Sequence, residues 1–393
     1  MSVFVLTLLV IEFIDELAYG SRETAWPLIR ADLNLSYADI GLLMGLPIFA
    51  STIIEPILSI LSDIPGWRRR IILIGGLAFI AELMLVALAT NGATILLAYL
   101  LFSPFAGVFV SLSQAALMDY APDRHEQNMA RWTLFGAVAI VVAPILLSLV
   151  LTLGGTWRIM FILSAILTLG VWLALRVQRF PQHHAPDPDD PEAAPATFPQ
   201  LIDGFRGAFR ALRRSSVLRW LVLLDFSDLM LDVLYGYLAL YFVDVVGVTE
   251  GQAALGIAVW TGVGLLGDVL IIPLLERVRG LTYLRFSAAV NLLLFPTFLL
   301  IPGFTPKVIV LGILGVFNAG WYSVLQAQVY SAMPGQSGAA AALSSIFGVI
   351  TGLLPLGIGV AAHLFTLENA MWLLLLGPIA LLIGIPRRRQ DAL

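Results

Sequence analysis

Nine acidic residues fall inside long apolar stretches of the sequence: Glu12, Asp15, Glu16, Glu55, Glu82, Asp225, Asp228, Asp232 and Asp268. A charge at the centre of a bilayer-crossing helix costs on the order of 3 kcal/mol on insertion scales. Acids at that depth are protonated, hydrogen-bonded, bound to a cation or facing water. The spacing groups them. At 100° per residue, Glu12, Asp15, Glu16 and Tyr19 fall within about a 100° arc of one helix. Asp225, Asp228, Asp232 and Tyr235 form the equivalent arc on another. Such a set suits a proton relay, in which a proton taken up on one side is released on the other. It equally suits a cationic substrate, a sodium ion or a divalent metal, because hard cations prefer oxygen ligands. Glu82 reads better as a structural acid hydrogen-bonded between helices.

The elements that carry these acids follow from composition. Of 393 residues, 59% are apolar and only 12% are charged, with a mean hydropathy of +0.93. Soluble domains run near 45–50% apolar and about 25% charged. That excludes an ordinary soluble enzyme, a nucleic-acid binder and a disordered regulator, and makes the lipid bilayer the solvent. A crossing helix needs roughly 20 apolar residues. Twelve spans are predicted: 2–29, 36–62, 70–90, 94–119, 129–153, 155–177, 217–242, 251–275, 282–301, 305–332, 337–364 and 369–386. The first span carries acids and lacks a basic leader, so no cleavable signal peptide is expected. The chain has no cysteine, which removes disulfides and thiolate metal sites.

Basic residues set the orientation. With the amino terminus inside, 18 of the 22 Lys and Arg residues lie inside and four lie outside, namely Arg22, Arg30, Arg158 and Lys307. Both termini are therefore expected to be cytoplasmic, in a multi-pass protein of the cytoplasmic (inner) membrane. Residues 178–216 form the long loop. Pro181 to Pro199 reads as a flexible linker. Leu201, Phe205, Phe209 and Leu212, accompanied by Arg206, Arg210, Arg213 and Arg214, predict an amphipathic helix on the inner face. His183 and His184 beside Asp187, Asp189 and Asp190 read as linker composition, not as a metal site.

The chain repeats itself. Glu12, Glu16, Tyr19 and Gly20 recur 216 positions later as Asp228, Asp232, Tyr235 and Gly236. Glu55 and Asp63 recur at an offset of 213 as Asp268 and Glu276. Gln114, Pro122 and Gly136 recur at 212 as Gln326, Pro334 and Gly348. The expected organisation is a six-helix bundle over 1–177, a linker over 178–216 and a second six-helix bundle over 217–393.

The loop after the second span reads Ser59-Ile-Leu-Ser-Asp63-Ile-Pro-Gly66-Trp67-Arg68-Arg69-Arg70. It resembles the Gly-x3-Asp-x2-Gly-Arg-Lys/Arg signature of major facilitator superfamily transporters, with Ser59 and Trp67 departing from it. Gly154-Gly155-Thr156-Trp157-Arg158-Ile-Met-Phe161 resembles the same superfamily's Gly-Trp-Arg-x-x-Phe opening of the sixth helix. Asp15, Tyr19, Pro27-Leu28 and the stretch Leu35 to Leu43 resemble fosmidomycin-resistance-type efflux members. The resemblance implies an all-α fold of two pseudo-symmetric six-helix bundles, working by alternating access, with helices 1, 2, 7 and 8 around a central cavity. It implies that Asp63, Gly66 and Arg68 to Arg70 form an inner gate, with Glu276 and Arg277 as their degenerate counterpart. The cavity wall is expected to include Tyr19, Gln114 and Tyr235, with Asn318, Trp321, Tyr322 and Gln326 sharing one face of the tenth helix. The fourth span lacks the buried Arg of many proton-coupled relatives, which argues against a strongly anionic substrate. Gly136, Ala143, Pro144 and Gly154 loosely resemble the antiporter motif of the fifth helix.

These residues lead to a proton-coupled exporter of a small neutral or cationic, partly apolar compound. The chain is expected to act as a monomer without a cofactor, a resident metal or nucleic acid. The alternative is a carrier coupled to sodium or a metal ion through the same acids. A membrane receptor and an intramembrane carboxylate enzyme are the rivals from other classes.

Overall fold

The computed structural model describes residues 2–62, 67–120, 125–178, 215–332 and 352–386, and of these all but the side chains of 59, 60, 125–127 and 330. Asp63, Gly66, Pro122, Pro334, Gly348, the linker helix, His183, His184 and Arg387 to Arg389 lie outside the described residues. Among the described residues there is no strand. The fold is all-α, as its composition requires.

The first half comprises α1 (Val3–Leu33), α2 (Tyr37–Ser62), α3 (Trp67–Ala87), α4 (Gly92–Tyr120), α5 (His125–Thr152) and α6 (Arg158–Val177). The second comprises α7 (Ser215–Val246), α8 (Glu250–Arg277), α9 (Gly280–Leu300), α10 (Phe304–Val329), α11 (Gly352–Leu364) and α12 (Leu367–Gly384). Ten of these are long and apolar enough to cross a bilayer. The other two have identifiable reasons. α1 has the length, at 31 residues, but carries seven charged side chains. α11 is described only from Gly352 onward. Proline occurs inside α1, α2, α4, α5, α8 and α9, which membrane helices tolerate when neighbours re-satisfy the freed carbonyls.

The helix boundaries repeat between the halves, down to their caps. α1 ends on Asn34 and α7 on Gly247, both left-handed, where a residue without a full side-chain penalty stops a helix. Ser36 then opens α2, accepting from the Asp39 amide while Asp39 accepts from the Ser36 amide. Thr249 and Gln252 make the same reciprocal box at the start of α8. Each of these three pairs is 213 positions apart. The offset therefore drops from 216 to 213 between Gly20 and Asn34, and correspondingly between Gly236 and Gly247.

In the first half, α1 packs on α5 and α6, α2 on α4, and α3 on α4 and α6. In the second, α8 and α9 pack on α10, and α7 and α9 pack on α12. The halves meet where α1 faces α7 and where α5 crosses α8. Small residues allow this. A Cβ on Gly20 of α1 would lie 2.9 Å from the Ala143 Cβ of α5 and 3.0 Å from the Tyr235 hydroxyl of α7. A Cβ on Gly41 of α2 would lie 2.8 Å from the Pro355 carbonyl of α11, and one on Gly359 of α11 would lie 2.9 Å from the Gly41 Cα. Backbones this close need glycine.

An ion pair joins the two halves toward one end, away from the amino terminus. There Arg30 donates to Asp244 at 2.8 Å and Tyr37 donates to the same carboxylate at 2.9 Å. The Arg30 guanidinium also lies over the Tyr37 ring, 4.2 Å from its centroid. At the same end Lys307, 5% exposed, donates to the Phe298 and Leu299 carbonyls and to the Tyr241 hydroxyl. It thereby caps the C-terminus of α9 from the first turn of α10.

Candidate functional site

The centre of the molecule is organised by one stripe along α1. Glu12, Asp15, Glu16, Tyr19, Arg22, Glu23, Trp26 and Arg30 recur at three- and four-residue steps, so they share one face for about 27 Å. This face meets α3, α4, α5 and α7 in turn.

The stripe borders a cavity of about 440 Å³ between α1, α3, α4 and α6. Its polar wall is Asp15, Glu16, Tyr19, Arg22, Glu82, Tyr99 and Ser103, joined by Asp232 from the second half. Phe79, Leu83, Val86, Ile140 and Phe161 supply the apolar part. Carboxyls from both halves thus line a single space. Asp232 stands one turn after Asp228 on α7 and shares the cavity wall with Tyr19 across the seam. The turn that carries Asp232, Leu229–Val233, is π-helical, as is Tyr241–Val246 near the end of α7. Such wide turns shift the side chains that follow and recur at functional sites.

Arg22 corrects the sequence reading. The basic-residue count places it outside, yet it stands mid-helix, three turns before the end of α1, among the acids. Its Nε donates to Glu23 at 2.7 Å. Its guanidinium lies 5.1 Å from the Tyr19 ring centroid and 5.5 Å from that of Tyr99. Glu23 was not singled out by spacing either. It is 1% exposed, accepts from Trp26 Nε1 at 2.9 Å, and packs where a Cβ on Gly236 of α7 would lie 2.8 Å from its Oε2. The signal for both was present, because positions 22 and 23 continue the i, i+3, i+4 series begun at 12. The acids therefore do have a basic partner at depth.

The other expected site residues divide. Glu82, read as structural, lines the cavity; it accepts from Ser103 at 3.1 Å, and its Oε2 has no partner. Glu12 turns toward α5, where it packs on Gly136. Glu55 abuts Gly107 of α4, a residue of the cavity wall. Asp225 is buried one turn before Asp228. Tyr235 sits between Tyr19 and Trp260, its centroid 5.8 Å from each, tilted against the first ring and edge-on to the second. Gln114 lies against Met129, 3.7 Å from its sulfur, away from the cavity. Asp268 is exposed.

The face expected on α10 does not form. The helix breaks at Ala319–Gly320, where Gly320 has φ +70°, so residues before and after it lose a common register. Asn318 donates to the Met230 carbonyl of α7 at 2.9 Å and accepts from Asn291 at 2.7 Å. Trp321 is fully buried and donates to Ser287 of α9 at 2.8 Å. Tyr322 is exposed and Gln326 half-buried. All four stand apart from the cavity wall.

Two of the arginines expected at the inner gate have partners in the first half. Arg68 pairs with Asp119 at the end of α4, and Arg69 donates to the Arg176 carbonyl at the end of α6, 2.7 Å away. Arg70, Glu276 and Arg277 are exposed. The Gly-Trp-Arg stretch has a direct physical role. Trp157 and Arg158 both donate to Asp32 at the end of α1, and Arg158 also donates to the Ala89 carbonyl after α3. One motif thereby ties three helix ends together.

The sequence model of the Major Facilitator Superfamily matches residues 8–355. The chain belongs to the Major Facilitator Superfamily. Its fold is shared with solved superfamily transporters. One is a bacterial homologue of the human lysosomal transporter Spinster in an inward-facing, unoccupied conformation, with a TM-score of 0.76, 16% identity, and coverage of 97% of this chain and 95% of that one. Another is the nucleoside transporter NupG, with a TM-score of 0.74, 14% identity and 98% of both chains. A third is the E. coli fucose:proton symporter FucP, with a TM-score of 0.63, 16% identity and 97% of both chains. No curated protein sequence matches the chain. This superfamily member is a multi-pass membrane transporter of two related helical halves, and its charged cavity touches both of them.

Proposed function

We propose that this chain is a secondary active transporter working by alternating access, in which protons drive the export of a small net-neutral or cationic, partly apolar compound. The observation that carries this reading is Asp232. It belongs to the second half, yet it lines a cavity built by the first, beside Asp15, Glu16 and Tyr19. A proton held there sits on the boundary that alternating access moves, so its binding can be linked to which side the cavity faces. The apolar wall of Phe79, Leu83 and Phe161 supports a partly apolar cargo. The basic-residue bias supports cytoplasmic termini in the inner membrane, and with that orientation the end closed by Arg30 and Asp244 is the outer one.

The same acids support a second reading, coupling to sodium or a metal ion. Among the described residues no group of three or more His, Asp or Glu is placed to hold a metal, so the proton reading is preferred.

The test is proton movement in liposomes containing the purified chain under an imposed pH gradient. Phenethylamine, phenylalanine, sodium chloride and manganese chloride are added in turn. An organic probe is expected to discharge the gradient in wild type and to fail in Asp232→Asn. Discharge by a cation salt alone transfers the coupling to that ion. Undiminished discharge in Asp232→Asn removes this residue from coupling.

A further inference from the structure

The cavity is electrically two-sided. Arg22 uses Nε on Glu23, and the rest of its guanidinium lies on the wall between the rings of Tyr19 and Tyr99. Stacking fixes the plane of a guanidinium and leaves its edge free for an oxyanion. Long side chains on a helix lean back toward its amino terminus, which brings this group from the turn of residue 22 to the level of Tyr19. Asp15 and Glu16 stand one turn further, about 5–6 Å along the axis. On the α3 wall, Glu82 is 7% exposed and has a buried oxygen with no partner.

Each simple ligand charge leaves something unmatched here. A purely anionic ligand on Arg22 would meet four wall carboxyls. A purely cationic one would meet the like charge of the guanidinium. An apolar ligand would leave both the guanidinium edge and the Glu82 oxygen without partners.

We infer that this cavity binds a small zwitterion carrying an apolar group, its oxyanion on the guanidinium edge of Arg22 and its ammonium among the carboxyls of Asp15, Glu16, Glu82 and Asp232. The inference rests on the transport reading above and names its substrate class. An aromatic α-amino acid has the required shape: its two charges lie within a few ångströms, and its ring can rest on Phe79, Leu83 and Phe161. The volume lies in the ~300–1,000 Å³ range of small-molecule sites.

Three matched probes separate the charge classes: phenylalanine, its decarboxylated amine phenethylamine, and its deaminated acid 3-phenylpropionate. Their affinities are measured by calorimetry on the purified full chain at pH 7. Wild type is expected to bind phenylalanine at least tenfold more tightly than either analogue. Arg22→Gln is expected to lose that advantage while phenethylamine binding persists. Equal binding of phenethylamine and phenylalanine by wild type overturns the inference, as does binding of none of the three. Should Arg22→Gln not fold, the wild-type ranking alone decides. A chain that shows the ranking but moves neither phenylalanine nor protons across a liposome keeps the site and loses the transport reading. Gradient-driven flux without a zwitterion preference does the reverse.

Discussion

Trp157 and Arg158 converge on Asp32, and Arg158 reaches the Ala89 carbonyl as well. Removing Arg158 leaves the Ala89 carbonyl without this donor and Asp32 with Trp157 alone. The ion pair is partly exposed, so its charge contributes little, and the loss is mainly of hydrogen bonds, about 1–2 kcal/mol. Arg158→Ala is expected to lower the thermal unfolding midpoint in detergent. Trp157→Phe, which removes a single donor, is expected to lower it less. A midpoint unchanged in Arg158→Ala would mean that the motif does not hold these ends. At this scale the sequence was legible where spacing alone places a residue: Asp15, Glu16, Tyr19 and Asp232 do meet at one cavity. It misplaced Arg22 because counting basic residues assigns them to loops, whereas the stripe along α1 assigns this one to the interior. It set Glu82 aside because a helix can be peripheral and still turn one acid inward.

α10 and α7 show what whole elements add. The spacing of Asn318, Trp321, Tyr322 and Gln326 fits one helical face, but a left-handed glycine between them divides the helix. Nothing in residue order distinguishes a Gly that continues a helix from one that breaks it. The break frees Asn318 to hold the Met230 carbonyl of α7 and Asn291 of α9, just where α7 widens into its π turn. Interhelical hydrogen bonds in membranes contribute about 0.6 kcal/mol each, rising to about 1.7. Asn318→Leu is therefore expected to destabilise the fold by about 1–3 kcal/mol and to disturb Asp228 and Asp232 indirectly. Thermal unfolding checks the first effect, and the apparent affinity for protons in driven flux checks the second. α2 and α11 give the opposite case, an interface of backbone on backbone. Gly359→Val would push α11 from Gly41. The expected outcome is faster thiol labelling of Ser36→Cys at that end, with assembly of the chain unchanged.

The whole molecule is held shut at one end by few contacts. Arg30, Tyr37 and Asp244 join the halves through side chains that are partly exposed, and such pairs are worth about 1 kcal/mol or less. At 1.4 kcal/mol per factor of ten, Asp244→Ala is expected to shift the balance between closed and open at this end by about fivefold. Distances between spin labels on α2 and α11, with and without the substitution, measure that shift directly. No change in the distance distribution would assign the closure to glycine packing alone. The duplicated halves were readable from the acids, and the repeated caps extend that reading: Asn34 with Gly247, Ser36 with Thr249, Asp39 with Gln252. The drop in offset from 216 to 213 was visible as a number. Its place, between Gly20 and Asn34 and between Gly236 and Gly247, emerges only where the helices end.

Lys307 is the single lysine of the sequence, and it is buried as the cap of α9. Amine-directed reagents therefore meet a folded chain with no reactive side chain to modify. Acylation at position 307 reports the moment α9 and α10 part, without any engineered probe. Cleavage by a lysine-specific protease reports the same event as a single cut. A native chain acylated at Lys307 as fast as an unfolded one would show that this cap opens freely.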